Sequence, residues 1–150
     1  MNKYLNVKNM KLPVKRLNET AKLPTYAHKD DAGMDLYASE DMVLNPNEVV
    51  SVPTGLAFEI PEGFVGLIWD KSGLSLKQGL KTMGGVIDSG YRGETKVVVI
   101  NLGKELYHIK KHTKIAQMLI QPVVSVQIEE VVELSDSSRA TGGFGSSGLH

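Results

Sequence analysis

Short apolar runs recur along the chain and are separated by turn-forming residues. The runs that predict strands begin at VKRL (14), MDLYA (34), EVVSV (48), LAFEI (56), FVGLIW (64), TKVVVINL (95), TKIAQMLI (113) and VQIEEVVEL (126). Asn-Pro-Asn at 45–47, Pro-Thr-Gly at 53–55, Pro-Glu-Gly at 61–63 and Ser-Gly at 89–90 mark the turns between them. Only residues 72–80 suggest a helix, and it is short. Because strands and helices do not alternate, the pattern predicts an all-β sandwich or jelly roll.

Size and charge restrict the function classes. The chain has 150 residues, which fits one domain of ordinary size. Its 17 basic and 17 acidic residues balance, so no global positive field favours a nucleic-acid partner, and any anion site must be local. The absence of cysteine excludes disulfides, thiolate nucleophiles and cysteine-ligated zinc.

Two further sequence features argue against a zinc site and against a membrane span. His108 and His112 have the spacing of helical zinc ligands, but the segment YHIKKHT is basic and has strand-like neighbours. A solvated turn is therefore predicted there, and no metal ligand is assigned. No apolar run has the length of a signal-peptide core or a membrane span, so we expect a soluble, cytoplasmic protein without a membrane partner.

The C-terminal segment RATGGFGSSG at 139–148 has a composition suited to closing over a flat, phosphorylated ligand. Arg139 offers a fork of donors for phosphate oxygens, glycines such as Gly145 allow close backbone approach, and Phe144 offers a face for a base. The alternative is a flexible terminus of no function, which is common for Gly/Ser-rich chain ends.

Three interior segments indicate the same kind of ligand. DKSGLSLKQG at 70–79 contains Lys71, Ser72 and the Gly73 amide, which together suit a small anion-binding turn. GGVIDSGYRG at 84–93 predicts a strand, a tight turn and a returning strand, with Asp88 and Tyr91 at the bend. KIAQMLIQPV at 114–123 is an apolar strand that is interrupted by the amide of Gln117.

Together with AGMDLYA at 32–38 and the C-terminal segment, these segments resemble in content and order the motifs of the trimeric dUTPases, the deoxyuridine triphosphate diphosphohydrolases. The resemblance spans residues 12–148. It implies a jelly-roll-like sandwich over residues 1–134 and a flexible C-terminal arm over residues 135–150. It also implies a homotrimer with shared active sites, in which the arm closes over a neighbouring subunit's site.

The resemblance implies that Asp88 is the catalytic residue, which orients and deprotonates the attacking water. An isolated aspartate at such a position is usually a turn residue that bonds its own backbone. Tyr91 is expected to lie against the deoxyribose and exclude a 2′-hydroxyl, although it could equally pack over its own hairpin. The backbone groups that would read the uracil edge belong to Gly85, Val86, Ile87 and Lys96.

The other substrate-binding residues implied by the resemblance are Lys71, Ser72, Gly73, Gln117, Arg139, Phe144, Gly145 and Ser146, of which Phe144 stacks on the base and the rest serve the phosphates. Singly, Lys71, Ser72 and Gln117 could be ordinary surface polar residues. The chain departs from the usual family pattern, because Asp70 and Lys71 stand where proline and arginine are common. Asp70 must then point away from the triphosphate, and Asp35 is expected to support the site. Mg²⁺ is expected to be carried by the triphosphate and waters, without protein ligands.

The activity implied is hydrolysis of dUTP to dUMP and pyrophosphate, which keeps uracil out of DNA. Two alternatives stay open. A dCTP deaminase shares the fold and a similar Ile-Asp-x-Gly turn, but it needs a carboxylate further along the next strand, where this chain has KVVVI at 96–100. A non-catalytic regulatory protein could keep the fold and use bound nucleotide to control a protein partner.

Overall fold

The computed structural model describes residues 10–142, which form eleven strands and one helix. The strands are β1 (Val14–Arg16), β2 (Met34–Tyr37), β3 (Met42–Leu44), β4 (Val49–Pro53), β5 (Leu56–Phe58), β6 (Phe64–Trp69), β7 (Leu80–Met83), β8 (Val86–Ile87), β9 (Lys96–Asn101), β10 (Tyr107–Ile109) and β11 (Lys114–Pro122), and helix α1 spans Ser72–Gln78. No helix in this range is long and apolar enough to cross a membrane.

The strands form a four-stranded sheet in the order β2-β11-β6-β8 and a three-stranded sheet in the order β4-β9-β7. Two smaller ladders, β1-β5 and β10-β3, complete the sandwich, and every strand pair is antiparallel. One apolar core contains side chains from both main sheets, among them Leu36, Met118, Val97 and Val99. The predicted all-β, jelly-roll-like architecture is confirmed, and β3, β7 and β10 are additional strands that the sequence pattern did not indicate.

Helix α1 confirms the short helix predicted over residues 72–80 and is slightly shorter. Lys71 is its N-cap residue, and Gly79 ends it in the left-handed conformation with φ 69°. The Gly79 N–H donates to the Ser75 carbonyl at 3.1 Å. Glycine suits this position because it adopts positive φ without a Cβ penalty. The helix is thereby held between β6 and β7, with Lys71 at its start.

The hairpin predicted over residues 84–93 is wrong in its pairing. The turn is present, since the Tyr91 N–H donates to the Asp88 carbonyl at 3.1 Å. The strands on either side of it belong to different sheets, however: β8 pairs with β6, whereas β9 pairs with β4 and β7. The turn is thus a crossover between the two main sheets. Local turn chemistry predicted the bend but could not specify the pairing partners.

Two other predictions are corrected. The strand expected over residues 126–134 is absent from the described part of the chain, where residues 123–142 contain no strand and most of their side chains are exposed. A strand needs a neighbour for its backbone hydrogen bonds, and this segment leaves the sheet after Pro122. The solvated turn expected over YHIKKHT is also wrong in part, because Tyr107–Ile109 forms β10 and His108 pairs with Val43.

Candidate active site

A cleft of about 590 Å³ lies beside the turn that follows β8, and we call it the Asp88 cleft. Its lining comprises Val86, Ile87, Asp88, Tyr91, Glu94, Thr95 and Lys96. Five of these residues were predicted as catalytic or substrate-binding. The crossover explains their convergence, because it carries the chain from the end of β8 to the start of β9 across one side of the cleft.

Asp88 lies at the first position of the turn and its side chain is exposed. Its backbone carbonyl holds the turn, and Asp88 is one of the residues that line the cleft. An acceptor-only carboxylate in this position can orient a water molecule and accept its proton. This geometry is what the predicted role of Asp88 requires.

Tyr91 is held by its own turn. Its hydroxyl donates to the Glu94 carbonyl at 3.0 Å, and its ring passes over Gly93. A Cβ at Gly93 would lie 2.5 Å from the Tyr91 hydroxyl oxygen and 2.6 Å from Cζ. A side chain at residue 93 would therefore collide with the Tyr91 ring, so this position of the ring requires glycine there. Tyr91 also lines the Asp88 cleft.

Glu94 is a cleft residue that the sequence analysis missed. Its Oε1 accepts the Gly55 N–H at 2.9 Å, and its Oε2 lies 3.6 Å from Lys96 Nζ. The carboxylate thus joins the turn to the loop between β4 and β5 and restrains Lys96. A carboxylate directly after Tyr-Arg-Gly was the available signal, since the residue follows the predicted turn in sequence.

Gly85 lies beside the Asp88 cleft and is not among its lining residues. The Gly85 carbonyl accepts the Ile68 N–H at 2.7 Å, and a Cβ on Gly85 would lie 2.4 Å from the Ile68 carbonyl oxygen. Glycine is required there because the backbones of β6 and residue 85 approach so closely. Gly85 therefore sets the position of Val86 and Ile87 relative to β6.

A second cleft, of about 400 Å³, surrounds the N-terminal end of α1, and we call it the Lys71 cleft. Lys71, Gln117, Asp35, Trp69 and Asp70 are among its lining residues. The strand register explains why three of them meet. Gln117 on the middle strand β11 pairs with Asp35 of β2 on one side and with Trp69 of β6 on the other. Directly paired residues lie side by side, so distant segments form one wall.

The charges of the Lys71 cleft are centred on Asp35, which is buried. Lys71 Nζ forms an ion pair with Asp35 Oδ1, and Lys114 Nζ lies 2.6 Å from Oδ2. Burial acts to raise the pKa of Asp35, but hydrogen bonds and charge from Lys114 and Lys71 outweigh it and lower the pKa below the usual value. The pKa of Lys114 is raised by its ion pair with Asp35. Three aspartates, Asp31, Asp35 and Asp70, and one lysine, Lys71, line the cleft, so the positive charge available to an anion is local to Lys71.

Gln117 is fixed by the residue before Lys71. Its Nε2 donates to the Asp70 carbonyl at 2.8 Å, and a Cβ on Gly33 would lie 2.5 Å from its Oε1. Gly33 therefore provides the space that the amide occupies. Ser72 and Gly73 are the first two residues of α1, and the first-turn amides of a helix have no intrahelical acceptor.

The model of the family described as dUTPase matches residues 19–148. This chain belongs to the dUTPase family. A deoxyuridine 5′-triphosphate nucleotidohydrolase of Alkaliphilus metalliredigens is 50% identical over 140 residues, which are 92% of this chain and 97% of that protein. A protein of the same name from Clostridioides difficile is 48% identical over 140 residues, 92% of this chain and 98% of its own length.

Solved dUTPase structures have the same fold. The Staphylococcus bacteriophage 80alpha dUTPase with dUPNHPP has a TM-score of 0.88 at 35% identity and covers 93% of this chain and 99% of its own. A mutant dUTPase from phage phi11 of S. aureus, whose structure is described as showing the coordination of a structural Mg(II) ion, has a TM-score of 0.78 at 32% identity. It covers 83% of this chain and 98% of its own.

Asp70, which was expected to point away from the triphosphate, has partners within the chain for its carboxylate. The Asp70 carboxylate accepts hydrogen bonds from Thr82 of β7 and forms an ion pair with Lys81. Its charge is therefore compensated within the chain, although the residue itself lines the Lys71 cleft. Lys71 likewise has a local counter-charge in Asp35.

Arg139 is the one predicted C-terminal site residue within the described range of this dUTPase family member, and it lines neither the Asp88 cleft nor the Lys71 cleft. Arg139 is exposed, and its Nε donates to the Gly142 carbonyl at 2.8 Å in a turn of its own segment. Phe144, Gly145 and Ser146 lie outside the described residues. Their roles remain predictions.

The described residues contain no group of three or more histidine, aspartate or glutamate side chains that could hold a metal ion. Lys71 is the cationic side chain that lines the Lys71 cleft. Mg²⁺ binds readily through substrate phosphates while keeping several waters. A magnesium ion carried by the triphosphate stays a prediction.

Proposed function

We propose that this chain hydrolyses dUTP to dUMP and pyrophosphate by attack of water on the α-phosphorus. The observation that carries the proposal is the Asp88 cleft, where a carboxylate, a tyrosine ring and the backbone of β8 line one cavity of nucleoside size. The dUTPase-family membership of the chain and the position of Lys71 in the second cleft support it. The reaction removes dUTP from the pool used for DNA synthesis.

In this proposal Asp88 holds the attacking water by a hydrogen bond and accepts its proton as the bond to phosphorus forms. A free carboxylate is a weak base, so positioning carries much of the effect. The leaving group is pyrophosphate. Magnesium, when bound with the nucleotide, supplies charge neutralisation at the phosphates.

Base selection is assigned to the backbone of residues 85–87 and to Lys96. Uracil presents an acceptor at O4 and a donor at N3, and cytosine presents the reverse pattern. Fixed backbone groups then reject cytosine because buried partners would be left unpaired. The Tyr91 ring, held above Gly93, lies against the sugar and leaves no room for a 2′-hydroxyl.

Phosphate binding is assigned to Lys71, Ser72, Gly73 and Gln117, with Arg139, Gly145 and Ser146 contributed by the arm, and stacking on the base is assigned to Phe144 of the arm. Lysine supplies charge without the bidentate fork of arginine. The hydrogen bond from Gln117 to Asp70 and the ion pair of Lys71 with Asp35 support pre-organisation of these side chains.

We further propose a homotrimer in which one site combines residues of all three subunits. The Asp88 cleft and the Lys71 cleft have no lining residue in common, so the residues for sugar and phosphate lie in two places on one chain. The exposed apolar segment at 123–134 supports association with further copies. Its Ile128 and Val132 side chains are 91% and 100% exposed. Residues 135–150 act as the closing arm.

The test is release of pyrophosphate from dUTP by the purified protein with Mg²⁺. Production of dUMP and pyrophosphate in equal amounts is expected. Release of ammonia from dCTP would instead support a deaminase, although β9 offers no carboxylate among KVVVI at 96–100. Binding of a non-hydrolysable dUTP analogue without any turnover of dUTP would support the non-catalytic regulatory alternative.

A further inference from the structure

Asp70 connects the end of β6 to the start of α1 and makes contacts in two directions. Its Oδ1 accepts the Thr82 N–H at 2.6 Å and the Thr82 hydroxyl at 2.7 Å, and its Oδ2 lies 2.9 Å from Lys81 Nζ. Its backbone carbonyl accepts the Gln117 side-chain amide at 2.8 Å. One residue therefore joins β7 to a side chain of the Lys71 cleft.

The contact partners belong to different sheets. Thr82 is a buried residue of the three-stranded sheet, whereas Gln117 lies on β11 of the four-stranded sheet. Residue 70 itself follows the last paired residue of β6, so no sheet ladder fixes its position. The side-chain contacts with β7 thus determine where its carbonyl and the following residue lie.

We propose that Asp70 is a positioning residue whose carboxylate, bound to Thr82 and Lys81, orients Lys71 and Gln117 for the phosphate groups of the nucleotide. The proposal rests on the proposed function of the Lys71 cleft. It assigns Asp70 no contact with the reacting atoms. Its effect reaches Lys71 and Gln117 through the β6–α1 junction, because Lys71 follows Asp70 in sequence and Gln117 donates to the Asp70 carbonyl.

The carboxylate is held in its ionised form. Burial acts to raise the pKa of Asp70, but hydrogen bonds from Thr82 and the charge of Lys81 outweigh it and lower the pKa. Three donors converge on two oxygens, which is a geometry that an amide could satisfy only in part. Asp70→Asn should therefore have a smaller effect than Asp70→Ala, because it keeps one acceptor oxygen for Thr82.

The experiment compares Asp70→Ala and Asp70→Asn with wild type in steady-state hydrolysis of dUTP. For Asp70→Ala we expect kcat to fall at least about tenfold, since misplacement of reacting groups by about 1 Å can cost about 100-fold. Binding of deoxyuridine, which has no phosphate, should stay within about twofold of wild type. If Asp70 had only a structural role, Asp70→Ala would lower Tm and would weaken the binding of dUTP and of deoxyuridine to the same extent.

Asp41→Ala is the matched control for Asp70→Ala. The Asp41 carboxylate also accepts a backbone N–H, that of Lys111 at 2.6 Å, but it lies in neither the Asp88 cleft nor the Lys71 cleft. This variant removes a comparable contact and should keep kcat within about twofold of wild type. An equal loss of kcat in the Asp70→Ala variant and in the Asp41 control would show a general effect of removing a carboxylate and would overturn the proposal.

The crystal structure of Asp70→Ala separates this proposal from the proposed function. We expect Gln117 Nε2 to leave the carbonyl of residue 70 and Lys71 Nζ to leave Asp35. If wild type does not hydrolyse dUTP, the proposed function fails, but these two displacements still test the role of Asp70. Unchanged positions of both side chains overturn it, as does a kcat for Asp70→Ala within twofold of an active wild type.

Discussion

Lys114 and Asp35 form an ion pair across the antiparallel strands β11 and β2, with 2.6 Å between Nζ and Oδ2. Lys71 binds the other oxygen of the same buried carboxylate. The charge of Asp35 in the Lys71 cleft is thus compensated from two elements that are distant in sequence. Removal of Asp35 would leave both lysines without this partner.

Asp35→Asn should lower stability at neutral pH by about 1–3 kcal/mol, the usual cost of losing hydrogen bonds to a charged group. Because the folded-state pKa of Asp35 is lowered, its contribution is present above the ordinary carboxyl value of 3.8 and is lost as the pH falls through the lowered pKa. The difference in Tm between wild type and Asp35→Asn, measured by calorimetry, should therefore shrink below about pH 4. Exposed Asp30→Asn is the control, and an Asp35→Asn difference that is constant from pH 7 to pH 3 would contradict the prediction.

Asp88→Asn should retain affinity for a non-hydrolysable dUTP analogue and lose about 10²–10⁴-fold in kcat, because an amide can hold water but cannot accept its proton. Trp69 is the single tryptophan of the chain and lines the Lys71 cleft, so its fluorescence can report binding. Pyrophosphate release measures turnover. A fall of less than tenfold would reassign the role of Asp88.

Tyr91→Ala should raise activity on UTP relative to dUTP, because the ring that excludes a 2′-hydroxyl is removed. Tyr91→Phe is the matched control: it loses only the 3.0 Å hydrogen bond to Glu94 and keeps the ring, so it should keep the discrimination. Gly93→Ala should act like Tyr91→Ala, since the new methyl group would occupy the place of the ring. Competition assays with both nucleotides measure the ratio, and an unchanged ratio in Tyr91→Ala would disprove the role given to the ring.

Truncation after Ser138 should leave the sandwich intact and abolish most activity. Residues 123–142 contribute no strand, and the residues after 138 contribute nothing to the described core. Circular dichroism and Tm should be nearly unchanged, while kcat/KM for dUTP falls because Arg139 and the residues after it are lost. Near-normal hydrolysis by the truncated protein would contradict this role of the arm, and the assignment of the site would then rest on Lys71, Asp88 and Gln117 alone.

Light scattering should give three times the 16.4 kDa chain mass. Ile128→Asp should shift the protein toward smaller species and lower activity, because a charge in the apolar segment at 123–134 opposes its burial against another copy. Leu102→Asp, at another exposed apolar position, is the control. A fully active wild-type monomer would refute the trimer.

The sequence by itself determined the fold class, the short helix and the chemistry of the candidate residues. Apolar runs between Pro, Gly and Asn turns are local signals, and they predicted most of the strands in the main sheets. The segments around Asp88, Lys71 and Gln117 also have residue types whose chemistry can be judged without coordinates. The fold that contains them follows from the family to which those segments belong.

Only the tertiary structure decided which segments meet. Pairing of Gln117 with both Asp35 and Trp69 depends on strand register, which long-range packing fixes and local sequence does not. The same reason explains the wrong hairpin at 84–93 and the unpredicted contacts of Glu94 and Asp70. The apolar alternation at 126–134 resembles a strand, but a strand forms only where a second backbone is available to complete its hydrogen bonds.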